Sequence, residues 1–385
     1  MDLHSPSINQ KNIKLVSKAL QSGWLSSSGK FVKIFEDAIK KYTATKYSLG
    51  TINGTSAIHL ALLAADLKKN EEVLVPSVSF IATINPIIYC NAIPVFMDCD
   101  MNFNLDVKKT IRFINHETFF KNNSTFNKKT KRKVAAIIVV HTFGNPCDIQ
   151  NLIKVAKKKN IKIIEDAAES LGSFFHYKRK IIHTGSMGFA GCISFNVNKI
   201  ITAGSGGMLI TNSKKIYKKA RHFSTQAKKD PIFFKHDKIG FNYSMPNMNA
   251  ALGLSQFKNL KYNLNKKRKI FTLYKSFFSK TPSVKVIESN FGISNHWLVV
   301  IKIETSKNLL PKIIKFLKRK KIQVRPVWHL LYEQKKYQKY QRYLINNVQN
   351  LVKNSLCLPS GVNLSFFDVK KVCLEINKFL KIYNY

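Results

Sequence analysis

The segment Ile161-Lys-Ile-Ile164-Glu165-Asp166-Ala-Ala-Glu169-Ser170 decides the fold, together with the later run Ser194-Phe-Asn-Val-Asn-Lys199-Ile-Ile-Thr-Ala-Gly204-Ser-Gly206-Gly207. The first is a largely apolar stretch that stops on acids. Buried strands of parallel sheets read this way, and open α/β sheets gather ligands outside the carboxyl ends of such strands. The second sets a lysine between a strand-like segment and closely spaced glycines, which suit a backbone that must pass near a ligand.

Outward from these two runs, strands and helices alternate. Helical periodicity over 7–20 gives way to the turn-rich Gly23-Trp24-Leu25-Ser-Ser-Ser-Gly29, then to a helix with apolar Phe31, Ile34, Phe35 and Ile39. Extended segments are predicted at 48–52, 72–75, 93–97, 134–141, 161–165, 192–196 and 207–211. Between them fall helices opening at Gly54-Thr55-Ser56 and running through Leu67, and helices over 83–90 and 148–159. This alternation predicts an α/β protein with a mainly parallel sheet covered on both faces. The polar insert at 115–133 reads as a mobile surface excursion. Past Leu260 come a long lysine-rich helical segment, shorter strands at 297–303 and 322–326, and a C-terminal helix. Two domains are expected, a large one over 1–260 and a smaller C-terminal α+β one over 261–385.

The chain has 385 residues, of which 45% are hydrophobic, enough for one large core and a smaller one. Its longest aliphatic runs are far shorter than a membrane span, and residues 1–12 carry no apolar signal segment, so a cytoplasmic protein is expected. Six cysteines without C-x-x-C spacing are expected as reduced, buried thiols, and no metal site is expected. The formal charge of +43 resembles the electrostatic footprint of a nucleic-acid binder. The lysines, however, are spread along most of the chain and no recognition motif accompanies them. Lys, Asn, Ile, Phe and Tyr are abundant together, which base bias in the codons explains without a partner. A basic surface still favours an anionic small substrate.

Lys199 and Asp166 together suit pyridoxal phosphate (PLP), which needs an amine for its Schiff base and a buried carboxylate to keep its pyridine nitrogen protonated. Asp166 alone serves equally as the cap of a following helix. Gly54, Thr55 and Ser56 offer amides and hydroxyls at a helix start, a seat for a phosphate or simply a cap. Phe80 can lie on a ring or fill the core. Ser194 can add a hydroxyl to the phosphate. His141 reads best as a satisfied core histidine.

The combined blocks resemble the DegT/DnrJ/StrS family of PLP-dependent sugar aminotransferases. The matching stretches are Gly23-Trp24, Asn53-Gly-Thr-Ser56, Val75-Pro-Ser-Val-Ser-Phe80, His141-Thr-Phe-Gly144, Glu165 to Gly172, Ser194 to Lys199 and Gly240-Phe-Asn-Tyr243. Three further stretches, Ser224 to Lys228, His236 to Gly240 and Arg325-Pro-Val-Trp-His329, resemble the branch acting on UDP-linked 4-keto-6-deoxy N-acetylhexosamines. The resemblance implies the type I (aspartate aminotransferase) fold and a homodimer with shared active sites. It implies Lys199 as the Schiff-base lysine and proton shuttle, Asp166 as the pyridine partner, and Glu169 beside the ring hydroxyl. Phe80 is implied as the ring cover, and Thr55, Ser56 and Ser194 as phosphate contacts joined by Asn242 of a second subunit. Glutamate is the implied amino donor. Lys228, Arg325, Trp328 and His329 are candidates for the sugar nucleotide. The family commonly has Arg where this chain has Ser244, which touches substrate contacts rather than the lysine chemistry. Relatives with His in place of the lysine are sugar dehydratases. The rival readings are such a dehydratase, a PLP-binding regulator without turnover, and a basic nucleic-acid binder.

Overall fold

The computed structural model describes residues 1–177, 179–230, 232–305 and 308–384. The apolar segments form one eight-stranded sheet in the order Tyr47–Thr51, Gly207–Thr211, Ala190–Ser194, Lys162–Asp166, Val134–Val140, Glu72–Pro76, Ile93–Met97, Arg342–Tyr343. Gly207–Thr211 runs against both of its neighbours, and every other adjacent pair is parallel. Strands such as Glu72–Pro76 and Ala190–Ser194 are buried along their whole length, as a sheet covered on two sides requires.

One face carries the helix Gly54–Ala64, which is apolar nearly all round because the sheet lies beneath it and the helix Lys214–Ser224 lies against it. The other face is covered by Val107–His116 and Gln150–Lys158, whose Phe113, Ile114, Leu152 and Ala156 join Ile137 and Val139 in a separate core. The type I fold expected from the sequence is thus present, with helices on both faces of a mostly parallel sheet. A second, antiparallel sheet is ordered Val284–Val286, Val299–Ile303, Ser355–Leu358, Arg325–Pro326. The helices Leu260–Phe278, Leu310–Arg319 and Phe366–Ile382 bury Tyr274, Ile313 and Ile376 in a core of its own.

Two ties cross between the sheets. Arg342–Tyr343 extends the edge of the large sheet, and buried Asp98 accepts the amides of Asn346 and Asn347 at 3.1 and 3.0 Å while pairing with Lys109. At the other end of the chain, Leu3 O accepts the amide of Ser360 and Met1 O that of Gln323, so the first residues lie along the second sheet.

The insert at 115–133 is a correction to the sequence reading: it contains a β-hairpin, Thr118–Lys121 with Ser124–Asn127. Phe119 stacks on Phe126, Thr125 Oγ1 donates to Lys159 O, and buried Asn127 donates to Glu72. The predicted helix over 83–90 is divided into a 3-10 turn, Ile81–Thr83, and a short helix, Asn85–Tyr89, with Pro86 in its first turn. All six cysteines are free, five of them buried. Among the described residues no helix is long and apolar enough to cross a membrane.

Candidate active site

The parallel strands end on one edge of the large sheet, where a cavity of about 410 Å³ is lined by Gly54, Thr55, Thr83, Asp166, Glu169 and Lys199, among others. Asp166 is the last residue of its strand, in register with Val140 and Cys192. Its Oδ2 accepts Thr83 Oγ1 at 2.7 Å and its Oδ1 accepts the amide of Ala168 at 3.1 Å. The capping alternative is not met: among the described residues no helix directly follows Asp166, and the Ala168 bond closes only a local turn before the strand Phe174–Tyr177. Burial is the largest influence on this carboxyl and pushes its pKa up, against the hydrogen bonds of Thr83 and Ala168 and the charge of Lys199. A carboxylate held from behind and desolvated on a cavity wall is a seat for a cationic N–H.

Lys199 follows the strand Ala190–Ser194 in a turn closed by its own amide on Asn196 O. Its side chain is 13% exposed, and Nζ lies 3.3 Å from Glu169 Oε1 and 3.9 Å from the centre of the Trp297 ring. Glu169 Oε2 accepts the amide of Phe143 at 2.8 Å. Phe143 stands at φ +56°, a left-handed conformation that costs a bulky residue about 1–2 kcal/mol and here aims its N–H at the carboxylate. Asn295 Nδ2 donates to the carbonyls of Glu169 and Leu171 and so fixes the loop. Burial raises the pKa of Glu169 to about 7, with Lys199 and the Phe143 amide pulling the other way.

At the far end, Asn53 caps the helix Gly54–Ala64 by accepting the amide of Ser56 at 2.8 Å. The amides of Gly54 and Thr55 precede the first intrahelical bond and are the donors such a helix start offers to an anion. Gly54 packs closely on the neighbouring strand: a Cβ there would stand 3.0 Å from Ser194 Cβ, a tight contact. The hydroxyls of Thr55 and Ser194 border the same space, whereas Ser56 is buried behind it. Phe80 lines the cavity and is 54% exposed.

Trp328 also lines the cavity and stacks on Phe143 at 4.8 Å and 14°. His329 beside it is largely exposed, with Nε2 3.5 Å from Glu333. Three other candidates lie elsewhere in this chain. Asn242 is exposed and bridges to Thr225, and Lys228 sits in the hairpin Lys228–Asp230 with Lys235–His236, over the Phe234 ring. Arg325 opens into a separate cavity with Asp2 and Lys318. Ser244 Oγ donates to Ser224 O. His141 is a satisfied core histidine: its Nδ1 accepts the amide of Cys147, so its Nε2 donates to Glu165 at 3.0 Å. Sequence reasoning missed Thr83, Ser79, Trp297 and Asn295. Ser79 sits within the stretch 75–80 already marked and Thr83 three residues beyond it, whereas Trp297 and Asn295 come from a distant segment with no local signal.

The residues fit PLP. A buried carboxylate lining the cavity, an amine beside a second carboxylate, and a helix start with free amides are the kinds of group that PLP would need as ring-nitrogen partner, tether and phosphate seat. Comparison with known proteins agrees. The model of the DegT/DnrJ/EryC1/StrS aminotransferase family matches residues 6–377. The chain is 34% identical over 378 residues to GDP-perosamine synthase of Escherichia coli O157:H7, covering 98% of each. It is 30% identical to UDP-4-amino-4,6-dideoxy-N-acetyl-beta-L-altrosamine transaminase of Campylobacter jejuni, covering 95% of this chain and 93% of that one. In fold it matches Helicobacter pylori PseC, an aminotransferase of pseudoaminic acid biosynthesis, at a TM-score of 0.87 and 23% identity, over 98% of each chain.

Proposed function

The chain belongs to the DegT/DnrJ/EryC1/StrS aminotransferase family of PLP-dependent sugar aminotransferases, and we propose that it moves an amino group from glutamate to a nucleotide-linked 4-keto-6-deoxyhexose in the cytoplasm. The observation that carries this reading is the meeting of Lys199, Glu169 and Asp166 around one cavity whose far end is a helix start.

When bound, PLP supplies an electron sink that lets an amino group pass between two carbons. In this reading the turn at Gly54 and Thr55, with Ser194, grips the phosphate, and Asp166 keeps the ring nitrogen charged. Phe80 covers one ring face. Lys199 tethers the cofactor and, once free, Nζ removes the α-proton of the amino donor and later returns a proton to sugar C4. Glu169 holds Nζ in place between these tasks and borders the ring hydroxyl. Trp297 closes the floor beneath the amine and excludes water from it.

Trp328 and His329 are proposed to meet the sugar from the same chain. Asn242 and Lys228 stand away from this chain's own cavity, and the proposed homodimer gives them a role in the partner's. Arg325 faces other residues and is left out of the proposed site. For the nucleotide, the stretches at 224–228, 236–240 and 325–329 support UDP and an N-acetyl sugar. The higher identity to the Escherichia coli enzyme named for GDP-perosamine favours GDP as the second reading.

The test is a glutamate-dependent assay across GDP- and UDP-linked 4-keto-6-deoxy sugars, with 2-oxoglutarate and amino sugar both quantified. Equal yields of the two on one of these substrates are expected. Cofactor amination with no sugar turnover would turn the reading into a regulator, and ammonia release with loss of a sugar hydroxyl would turn it into a dehydratase.

A further inference from the structure

We propose that Thr83, backed by Ser79, is the positioning residue that orients Asp166 and keeps it ionised for the ring nitrogen of the cofactor. The inference rests on the reading of Asp166 given above and adds two residues to it.

Ser79, Thr83 and Asp166 form a chain of short contacts: Ser79 Oγ to Thr83 Oγ1 at 2.6 Å, and Thr83 Oγ1 to Asp166 Oδ2 at 2.7 Å. Both hydroxyl residues are buried. A carboxylate only accepts, so the single hydroxyl proton of Thr83 is committed to Asp166. The contact between the two hydroxyls must then be filled by the proton of Ser79. With Asp166 ionised the chain therefore has one orientation, each bond polarising the next. With the Ala168 amide on Oδ1, both carboxylate oxygens are held from behind, leaving their remaining lone pairs to the cavity.

Thr83 closes the turn Ile81–Thr83, and its amide already donates to Phe80 O. Its backbone N–H is thus satisfied within the turn, and the hydroxyl serves the carboxylate. The same turn displays Phe80 to the cavity, and the cover of the ring face and the support of the ring-nitrogen partner thus share one element. Burial drives Asp166 toward its neutral form, and the Thr83 bond is the strongest influence against that. A neutral Asp166 would lose the charge that holds the ring nitrogen protonated.

Three variants, Thr83→Val, Thr83→Ser and Ser79→Ala, are to be compared with Asp166→Asn, by PLP titration and by the nitrogen NMR shift of ring-labelled cofactor against pH. Neither readout uses turnover. Thr83→Val keeps the shape and is expected to weaken PLP binding about tenfold or more, as loss of a hydrogen bond to a charged group does. The pH at which the bound ring nitrogen deprotonates is expected to fall. Thr83→Ser should restore binding to within about threefold, and Ser79→Ala should show a smaller change in the same direction. The proposal is overturned if Thr83→Val binds PLP within about twofold of the parent, with an unchanged NMR profile, while Asp166→Asn loses binding. If Asp166→Asn is also unchanged, the reading of Asp166 itself fails. Should circular dichroism find Thr83→Val unfolded, Ser79→Ala decides: an unshifted profile overturns the proposal.

Discussion

At Glu169 burial and a neighbouring amine pull in opposite directions, and burial wins, leaving a carboxyl with a pKa of about 7 where an exposed one titrates near 4.5. The folded cofactor-free protein therefore holds this proton over a pH window in which the unfolded chain has lost it. Stability from this group is present below that window and is lost as pH rises from about 4.5 through about 7. The expected contribution is on the order of 3 kcal/mol at most. Urea unfolding at pH 5.5 and 7.5 is expected to show a smaller difference in Glu169→Gln than in the parent; equal differences would place the proton elsewhere. At Lys199 the chemistry is harsher. In the proposed reaction Lys199→Ala is expected to lower glutamate-dependent turnover by roughly 10²–10⁴-fold or more while the protein stays folded, because the shuttle and the tether proposed for it are lost together.

At the scale of elements, the proposed phosphate seat depends on the strand Gly207–Thr211 starting where it does. A Cβ on Gly207 would stand 2.4 Å from Asn53 O and 2.6 Å from Thr51 Oγ1, and the carbonyl cannot swing aside as a side chain would. Gly207→Ala is expected to push the Asn53-Gly54 turn out of place, costing about 1–3 kcal/mol of stability and weakening PLP binding about tenfold. A normal PLP titration for this variant would separate that turn from the phosphate. The middle of the sheet was legible in the sequence because its strands are largely apolar runs, and 93–97 and 207–211 coincide with the observed strands, whereas the two-residue edge strand Arg342–Tyr343 carries no apolar run to mark it. The strand expected at 192–196 ends instead at Ser194, since its pairing partner begins at Gly207. The hairpin within 115–133 was hidden because its anchors, Lys159 O and Glu72, are remote in sequence. Lys267 was hidden for a related reason. In a chain so rich in lysine nothing local marks one that is wholly buried and donates to the carbonyls of Trp297 and Ser360.

For the whole molecule, the proposed dimer makes a quantitative claim. The hairpin arm leaves Ile232, Phe233, Phe234 and Ile239 exposed near Asn242, an apolar face on an otherwise cationic chain. If Asn242 serves the partner's site, Lys199→Ala and Asn242→Ala subunits, each impaired alone, should complement when refolded together. One site of each mixed dimer is then intact, and an equal mixture should recover about a quarter of parental activity. No recovery, with mixed dimers present, would confine each site to one chain. The +43 charge makes no such claim about nucleic acid, since its lysines are spread along most of the chain. All of these readings depend on a cofactor tethered at one amine. Borohydride reduction of the PLP-loaded protein, followed by peptide mass mapping, measures that directly. The predicted result is a single reduced adduct on the peptide containing Lys199; no adduct, or one on another lysine, would contradict the account.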